Sequence, residues 1–153
     1  MKKSMRKGFT LVELLIVIVV IGILSAMMML SSTEAVSSAK AADIVSDLRN
    51  LKTAALAYYA DNIDEADKSG FNLANNKTKV FKYLGTVSVD SKYEFEGTTG
   101  GTWFAKAKVT DGKVKEKLEG RAKTVGLMGS ASSADTNFYT AAGAGDYVFY
   151  FLR

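Results

Sequence analysis

The chain has 153 residues, 48% hydrophobic and 24% charged, which is the size and balance of one folded domain and excludes both a disordered chain and a wholly membrane-embedded one. It contains no Cys, His or Pro, so disulfides, thiolate metal sites, a cysteine nucleophile and the commonest general base are all ruled out. The net charge of +4 is an N-terminal tag: of 20 Lys and Arg, four (Lys2, Lys3, Arg6 and Lys7) fall in the first eight residues, leaving 16 against 16 Asp and Glu.

A basic N-terminus directly before an apolar run is a membrane-targeting pattern in which the positive end stays in the cytoplasm. From Leu14 to Leu30 there are 17 residues, all apolar or small, with Ser25 the only polar side chain. As a helix they span about 26 Å, close to the roughly 30 Å of a bilayer's hydrocarbon core. Phe9, Leu11 and Val12 extend the segment. A cleaved secretory signal has a shorter apolar region, and the only A-x-A pattern near the run, Ala39-Lys40-Ala41, lies nine residues beyond Leu30. A plain signal anchor fits the flank and the length. Neither accounts for Glu13, since an ionised carboxylate costs about 2.5–3.5 kcal/mol at mid-bilayer and less near the interface. Glu13 either lies at the interface or has a partner inside the membrane or an assembly.

The segment Lys7 to Ala26, KGFTLVELLIVIVVIGILSA, resembles the class III signal of type IV pilins and of the related type II secretion pseudopilins. The matching elements are a short basic leader ending in Gly8, then Phe9, Thr10, Leu11 and Glu13, then an unbroken apolar helix. The resemblance implies a leader of residues 1–8, cut by a prepilin peptidase between Gly8 and Phe9, with methylation of the new amine on Phe9. It also implies that Glu13 acts in filament assembly by pairing with the N-terminal amine of a neighbouring subunit. Gly8 suits a cleavage site because it lets an enzyme approach the backbone. Many type IV pilins carry a proline where this chain has Leu30, within Met27-Met28-Met29-Leu30. Without it no helical hydrogen bond is lost there, so a straighter first helix is expected, with Gly22 as its weak point.

The helix continues past the apolar run. Ile44, Leu48, Leu51, Ala55 and Tyr58 recur at helical spacing, with Asp43, Asp47, Arg49 and Lys52 off the stripe. One helix of about 75 Å from Phe9 to near Tyr59 is predicted, its second half laying this stripe on a globular domain. Coiled coil is the alternative, but the stripe covers barely two heptads. Residues 61–77 are polar and read as a loop. Asp61, Asp64, Glu65 and Asp67 invite a calcium reading, but their spacing is not that of an EF-hand, and a solvated acidic loop is expected.

A short helix is predicted around Thr78–Leu84, with Val80, Phe81 and Leu84 inward. Lys92–Glu96 and Trp103–Val109 alternate as strands, joined as an antiparallel hairpin by the glycine-rich turn Gly97–Gly101. That turn lacks the Lys-Ser/Thr of a phosphate-binding loop. Val114, Leu118, Ala122 and Val125 fit a helix, although the lysines around them also alternate as in a strand. Glu116 and Glu119 dilute the basic cluster there and no aromatics interleave with it, so it reads as a solvated face, and nucleic acid is not expected as a partner. Residues 126–146, rich in Gly, Ser, Ala and Thr, are expected to form a long loop. Tyr147–Leu152 reads as a final strand, central because it is apolar on both faces, with Tyr147 joining Trp103 and Phe95 against the helix.

The expected architecture is an α+β pilin fold: a long N-terminal α-helix, its first half membrane-spanning, packed on a small antiparallel β-sheet. Residues 1–8 would be the leader, 9–35 the transmembrane and assembly half, and 36–153 the globular domain. The expected function is structural, a non-enzymatic pilin of a type IV pilus with no cofactor, no metal and no catalytic residue. Implied partners are sibling pilins in a homo-oligomeric helical filament, prepilin peptidase, an assembly ATPase, a platform membrane protein and, in diderms, a secretin. The precursor would sit in the inner membrane and the product in a surface pilus or periplasmic filament. A pseudopilin of type II secretion is the alternative; a signal-anchored periplasmic enzyme or binding module is the alternative from another class.

Overall fold

The computed structural model describes residues 8–66, 73–84, 92–97, 102–129, 138–143 and 145–152. These fall into two compact units, divided between Val36 and Ser37. Helix α1 runs from Leu11 to Asp61. No proline interrupts it and Ala is abundant along its second half, both of which favour an unbroken helix. Its start lies two residues after the predicted Phe9, because Thr10 caps it from outside.

The first unit is helical from Leu11 to Val36, and all of these residues are exposed.

The second unit has its core on the remainder of α1. Ile44, Leu48, Leu51, Ala55 and Tyr58 are all buried, as the stripe predicts, and Ser37, Ala41, Val45 and Ala54 widen it. Small residues beside large ones let the helix lie close to what it covers. The opposing surface is a four-stranded antiparallel sheet of order β1-β2-β4-β3, with β1 Tyr93–Gly97, β2 Trp103–Lys108, β3 Leu127–Met128 and β4 Tyr147–Phe151. The predicted hairpin is present: Phe95 pairs with Ala105 and Gly97 with Trp103. Residues 98–101 of its turn lie outside the described residues.

Strand β4 is central, between β2 and β3, as its two apolar faces require. Its Leu152 amide extends the β2 pairing to the Trp103 carbonyl at 2.8 Å. Tyr59 meets the Trp103 ring edge-on at 5.4 Å, and Lys52 donates to the Phe151 carbonyl at 3.2 Å, so α1 is tied to the sheet by both apolar and polar contacts.

Three expectations are corrected. Tyr147 does not join the core: Val148, fully buried, faces it, and Tyr147 lies half-buried on the opposite face beneath the Lys106 ammonium, 5.1 Å from its ring. The side-chain period of two puts alternate residues on opposite faces, and an all-apolar strand conceals which set is inward. The loop expected over 126–146 contains β3, whose Leu127 is buried and pairs with Tyr150. A two-residue strand is too short to show periodicity. The polar stretch 61–77 contains helix α2, Ile63–Ala66, and a 3-10 turn, Leu73–Asn76, anchored by fully buried Leu73.

Helix α3, Lys77–Phe81, and the 3-10 turn Lys82–Leu84 fill the place of the predicted short helix, burying Val80 and Leu84, while half-buried Phe81 packs on Phe95 at 5.5 Å. Helix α4, Gly112–Val125, settles the helix-or-strand ambiguity in favour of the helix. Its start is fixed by Asp111, whose carboxylate accepts from the Lys113 and Val114 amides at 3.0 and 3.4 Å. Its end is fixed by Gly126 at φ +80°, the left-handed conformation that glycine adopts without strain. Val114, Leu118 and Ala122 enter the same core as α1.

Candidate functional site

The candidate site is the start of α1. Gly8, Phe9 and Thr10 precede the helix outside any regular element and are exposed, Phe9 by 80%. Space is open around Gly8: a Cβ placed there would meet nothing within 4 Å. The peptide bond between Gly8 and Phe9 is therefore reachable from solvent.

Thr10 and Glu13 form a capping box. The Glu13 carboxylate accepts from the Thr10 amide at 2.8 Å and from the Thr10 hydroxyl at 2.7 Å. The Thr10 hydroxyl oxygen in turn accepts from the Glu13 amide at 3.2 Å. Two amides that an N-terminus leaves without intrahelical partners are thus satisfied, and the carboxylate stands at the positive end of the helix dipole. Thr10 is the residue that motif reading leaves without a role; the T-x-x-E spacing before an apolar run is the signal that reveals it.

Beyond the cap, the helix is apolar on every side. Ile18, Ile21, Leu24, Met28 and Met29 are each more than half exposed, and the single polar side chain of the run, Ser25, donates back to the Ile21 carbonyl at 2.7 Å. This stretch is continuous α-helix, the form in which a backbone satisfies its own hydrogen bonds in hydrocarbon. It is also long and apolar enough to cross a membrane. Exposed apolar surface of this extent marks contact with lipid or with another protein. Gly22 sits in regular helix with open space around it, so no close approach demands a glycine there.

Among the described residues the other candidate groups do not converge on a site; Asp67 and the Glu65 side chain lie outside them. Asp61 and Asp64 are exposed, and among the described residues no three His, Asp or Glu side chains are placed to hold a metal ion. Asp61 accepts from the Tyr83 hydroxyl at 2.9 Å, and this hydrogen bond to a carboxylate raises the Tyr83 pKa. One basic residue of α4 is paired, Lys115 with Asp146 at 2.9 Å, and Glu119 on the same helix accepts from the Ala141 amide at 3.1 Å. Lys106 is held between Glu94 at 3.1 Å and Glu96 at 3.3 Å. Partial burial disfavours its charge, but the two carboxylates outweigh this and raise its pKa.

The described residues thus combine one long helix, exposed and largely apolar from Leu14 to Leu30, with a small α+β core built on its later residues. Residues 3–29 match the family model described as the prokaryotic N-terminal methylation motif. The chain is 30% identical over 145 residues to the fimbrial protein EcpC of Eikenella corrodens, covering 94% of this chain and 88% of that one. It is 33% identical over 105 residues to the type IV major fimbrial protein FimA of Dichelobacter nodosus, covering 65% and 62%, and 28% identical over 125 residues to the type IV major pilin PilE of Neisseria gonorrhoeae, covering 73% of each. No solved structure matches the chain. The chain belongs to the type IV pilin family.

Proposed function

We propose that this protein is the structural subunit of a type IV pilus, made as a membrane-anchored precursor and assembled into a helical filament with sibling pilins. The observation that carries this is the exposed apolar helix Leu11–Leu30 opening on the Thr10–Glu13 cap, in a chain whose relatives are fimbrial proteins and major pilins. The basic leader, residues 1–8, holds the N-terminus on the cytoplasmic side. Prepilin peptidase cuts after Gly8 and methylates the amine of Phe9. Loss of the leader removes four positive charges and leaves an apolar end that can be drawn from the inner membrane into a filament, where residues 9–35 form the assembly half and 36–153 the globular head.

In the filament, Glu13 pairs with the amine of a neighbouring Phe9. An unpaired carboxylate in an apolar bundle is strongly unfavourable, so this pair selects the axial step at which each subunit docks. An assembly ATPase, working through a platform membrane protein, supplies the motion. The subunit itself acts by packing, not by catalysis.

Mass spectrometry of sheared surface filaments tests the reading. The expected result is this chain beginning at N-methylated Phe9. Filaments without this chain, or a chain that starts at Met1 or near Ala42, overturn it. Loss of protein secretion without loss of long filaments on deletion of the gene assigns the chain to the pseudopilins instead.

A further inference from the structure

Between the second half of α1 and α4 runs an open groove of about 360 Å³, lined by Ala42, Val45, Ser46, Arg49, Asn50, Arg121 and Val125. Among the described residues its two charged side chains are both guanidinium groups, and no carboxylate lines it. Arg121, half-buried, is steered by one hydrogen bond to the Ser38 hydroxyl at 3.0 Å, which leaves most of its donors free. Arg49 is exposed, and among the described residues its guanidinium has no hydrogen bond or ion pair. Three and four residues either side of Arg49 on α1 stand Val45, Ser46, Lys52 and Thr53, so its own helix offers no acid to it. Two guanidiniums lining one groove with polar Ser46 and Asn50 suit a carboxylate, which each can grip with parallel N–H donors.

The same chain carries the complement elsewhere. Asp61 ends α1 and Asp64 lies in α2, both exposed, and among the described residues the Asp64 carboxylate has no partner. We propose that the Arg49–Arg121 groove receives the acidic turn bearing Asp61 and Asp64 of a second copy of this chain. This rests on the filament reading above and deepens it by naming a contact between heads.

The argument for a second copy is one of symmetry as well as charge. The groove and the acidic turn are different surfaces, so their contact is heterologous: each copy that fills one groove offers its own groove to the next, and where the rotation between copies does not close a ring the contacts continue as an open helix. Arg49 and Asp61 are separated by 12 residues of one helix, about 18 Å at 1.5 Å per residue. Two copies with parallel α1 helices, offset by about that distance, bring turn and groove level with each other. An open contact with a fixed offset is what a filament repeats.

The test uses the full-length chain in cells that carry its assembly machinery. Because the chain has no Cys, a pair of introduced thiols reports one contact without background. Filaments of the double variant Arg49→Cys/Asp64→Cys are treated with a short bismaleimide, since an Arg–Asp pair spans more than the roughly 7 Å between Cα atoms that a disulfide allows. The expected result is a ladder of dimers, trimers and higher oligomers, with each single variant giving no ladder.

In parallel, Arg49→Glu/Arg121→Glu should lower the yield of sheared filaments about tenfold or more at unchanged subunit level in the membrane, and Asp64→Arg added to Arg49→Glu should restore part of it. Filaments that contain the chain but give no ladder, and assemble normally with both arginines reversed, overturn the contact while leaving the filament reading intact. Sheared material lacking the chain overturns both. Duplex DNA retained by wild-type filaments and lost with Arg49→Glu, without a ladder, would assign the groove to nucleic acid and overturn the subunit contact.

Discussion

Thr10 and Glu13 satisfy each other at the entrance to α1: the carboxylate takes the amide and hydroxyl protons of Thr10, and the Thr10 oxygen takes the amide proton of Glu13. A carboxylate has about four acceptor positions, so this cap leaves capacity for a further donor such as an ammonium group. The acid in the apolar segment is therefore a helix cap in the single chain, and the proposed pairing with a neighbouring Phe9 amine adds to the cap without breaking it.

The two roles of Glu13 separate by substitution. Glu13→Gln keeps the capping geometry, because Gln also serves at this position of the box, but it removes the charge. Glu13→Val removes both. Both variants should insert in the membrane and lose their leader, since cleavage precedes docking. Both should build few or no filaments if the charge directs assembly. Normal filament numbers with Glu13→Gln, and few with Glu13→Val, would show that the residue acts as a cap alone. The readouts are N-terminal sequencing of membrane subunits and counts of filaments by electron microscopy.

The core prediction concerns Leu51, 1% exposed at the centre of the buried stripe. A soluble fragment starting at Val36 should fold and remain monomeric, and reductant should not alter its unfolding, because there is no Cys. In that fragment Leu51→Ala should cost about 2–5 kcal/mol in urea unfolding, the sum of lost transfer energy and the cavity left behind. A change below about 0.5 kcal/mol, the size of an ordinary surface substitution, would place Leu51 outside the core.

Elements with a period long enough to repeat were legible in the sequence. The stripe Ile44–Tyr58 declares the buried face of α1, and the Phe9-to-Glu13 motif before a 17-residue apolar run declares the family's N-terminal segment. The inward face of β4 was hidden because Tyr147 and Val148 are both apolar, so only pairing with Lys108 and Ala107 of β2 decides it. Strand β3 was hidden because Leu127 and Met128 are too few to alternate. The Arg49–Arg121 groove joins residues 72 positions apart on different helices, and no local pattern links them.

Acid should weaken the head through Asp146. The Lys115 ammonium donates to its carboxylate at 2.9 Å, and this hydrogen bond, with the attraction of the charge, lowers the Asp146 pKa. Its folded pKa therefore lies below its unfolded value. The contribution is fully present above the unfolded pKa and is lost as pH falls through the folded one. Asp146→Asn should flatten that part of the acid limb of a stability-against-pH curve by lowering the neutral plateau, and only slightly, since the Asp146 side chain is half-exposed. An acid limb identical to that of the wild type would show that the pair does not form in solution.

Gly120 in α4 and Gly126 just past its end should respond to alanine with opposite signs. Gly120 lies in the helix interior, exposed, with nothing within 4 Å of an added Cβ and no positive φ. Alanine there removes backbone freedom from the unfolded chain and meets no obstacle, so Gly120→Ala should stabilise the head by about 0.5–1 kcal/mol. Gly126 also has open space around it, but its φ of +80° makes it the left-handed residue that ends α4, where its amide donates to the Ala122 carbonyl at 2.8 Å. Alanine in that conformation sets its Cβ against the following carbonyl oxygen, at about 1–2 kcal/mol. Relief of that strain would unwind the last turn, which leads directly into Leu127 and its pairing with Tyr150. Gly126→Ala should therefore lower the thermal midpoint of the same fragment while Gly120→Ala raises it. A midpoint raised by both would mean that α4 ends elsewhere in solution and that Gly126 does not hold the left-handed turn.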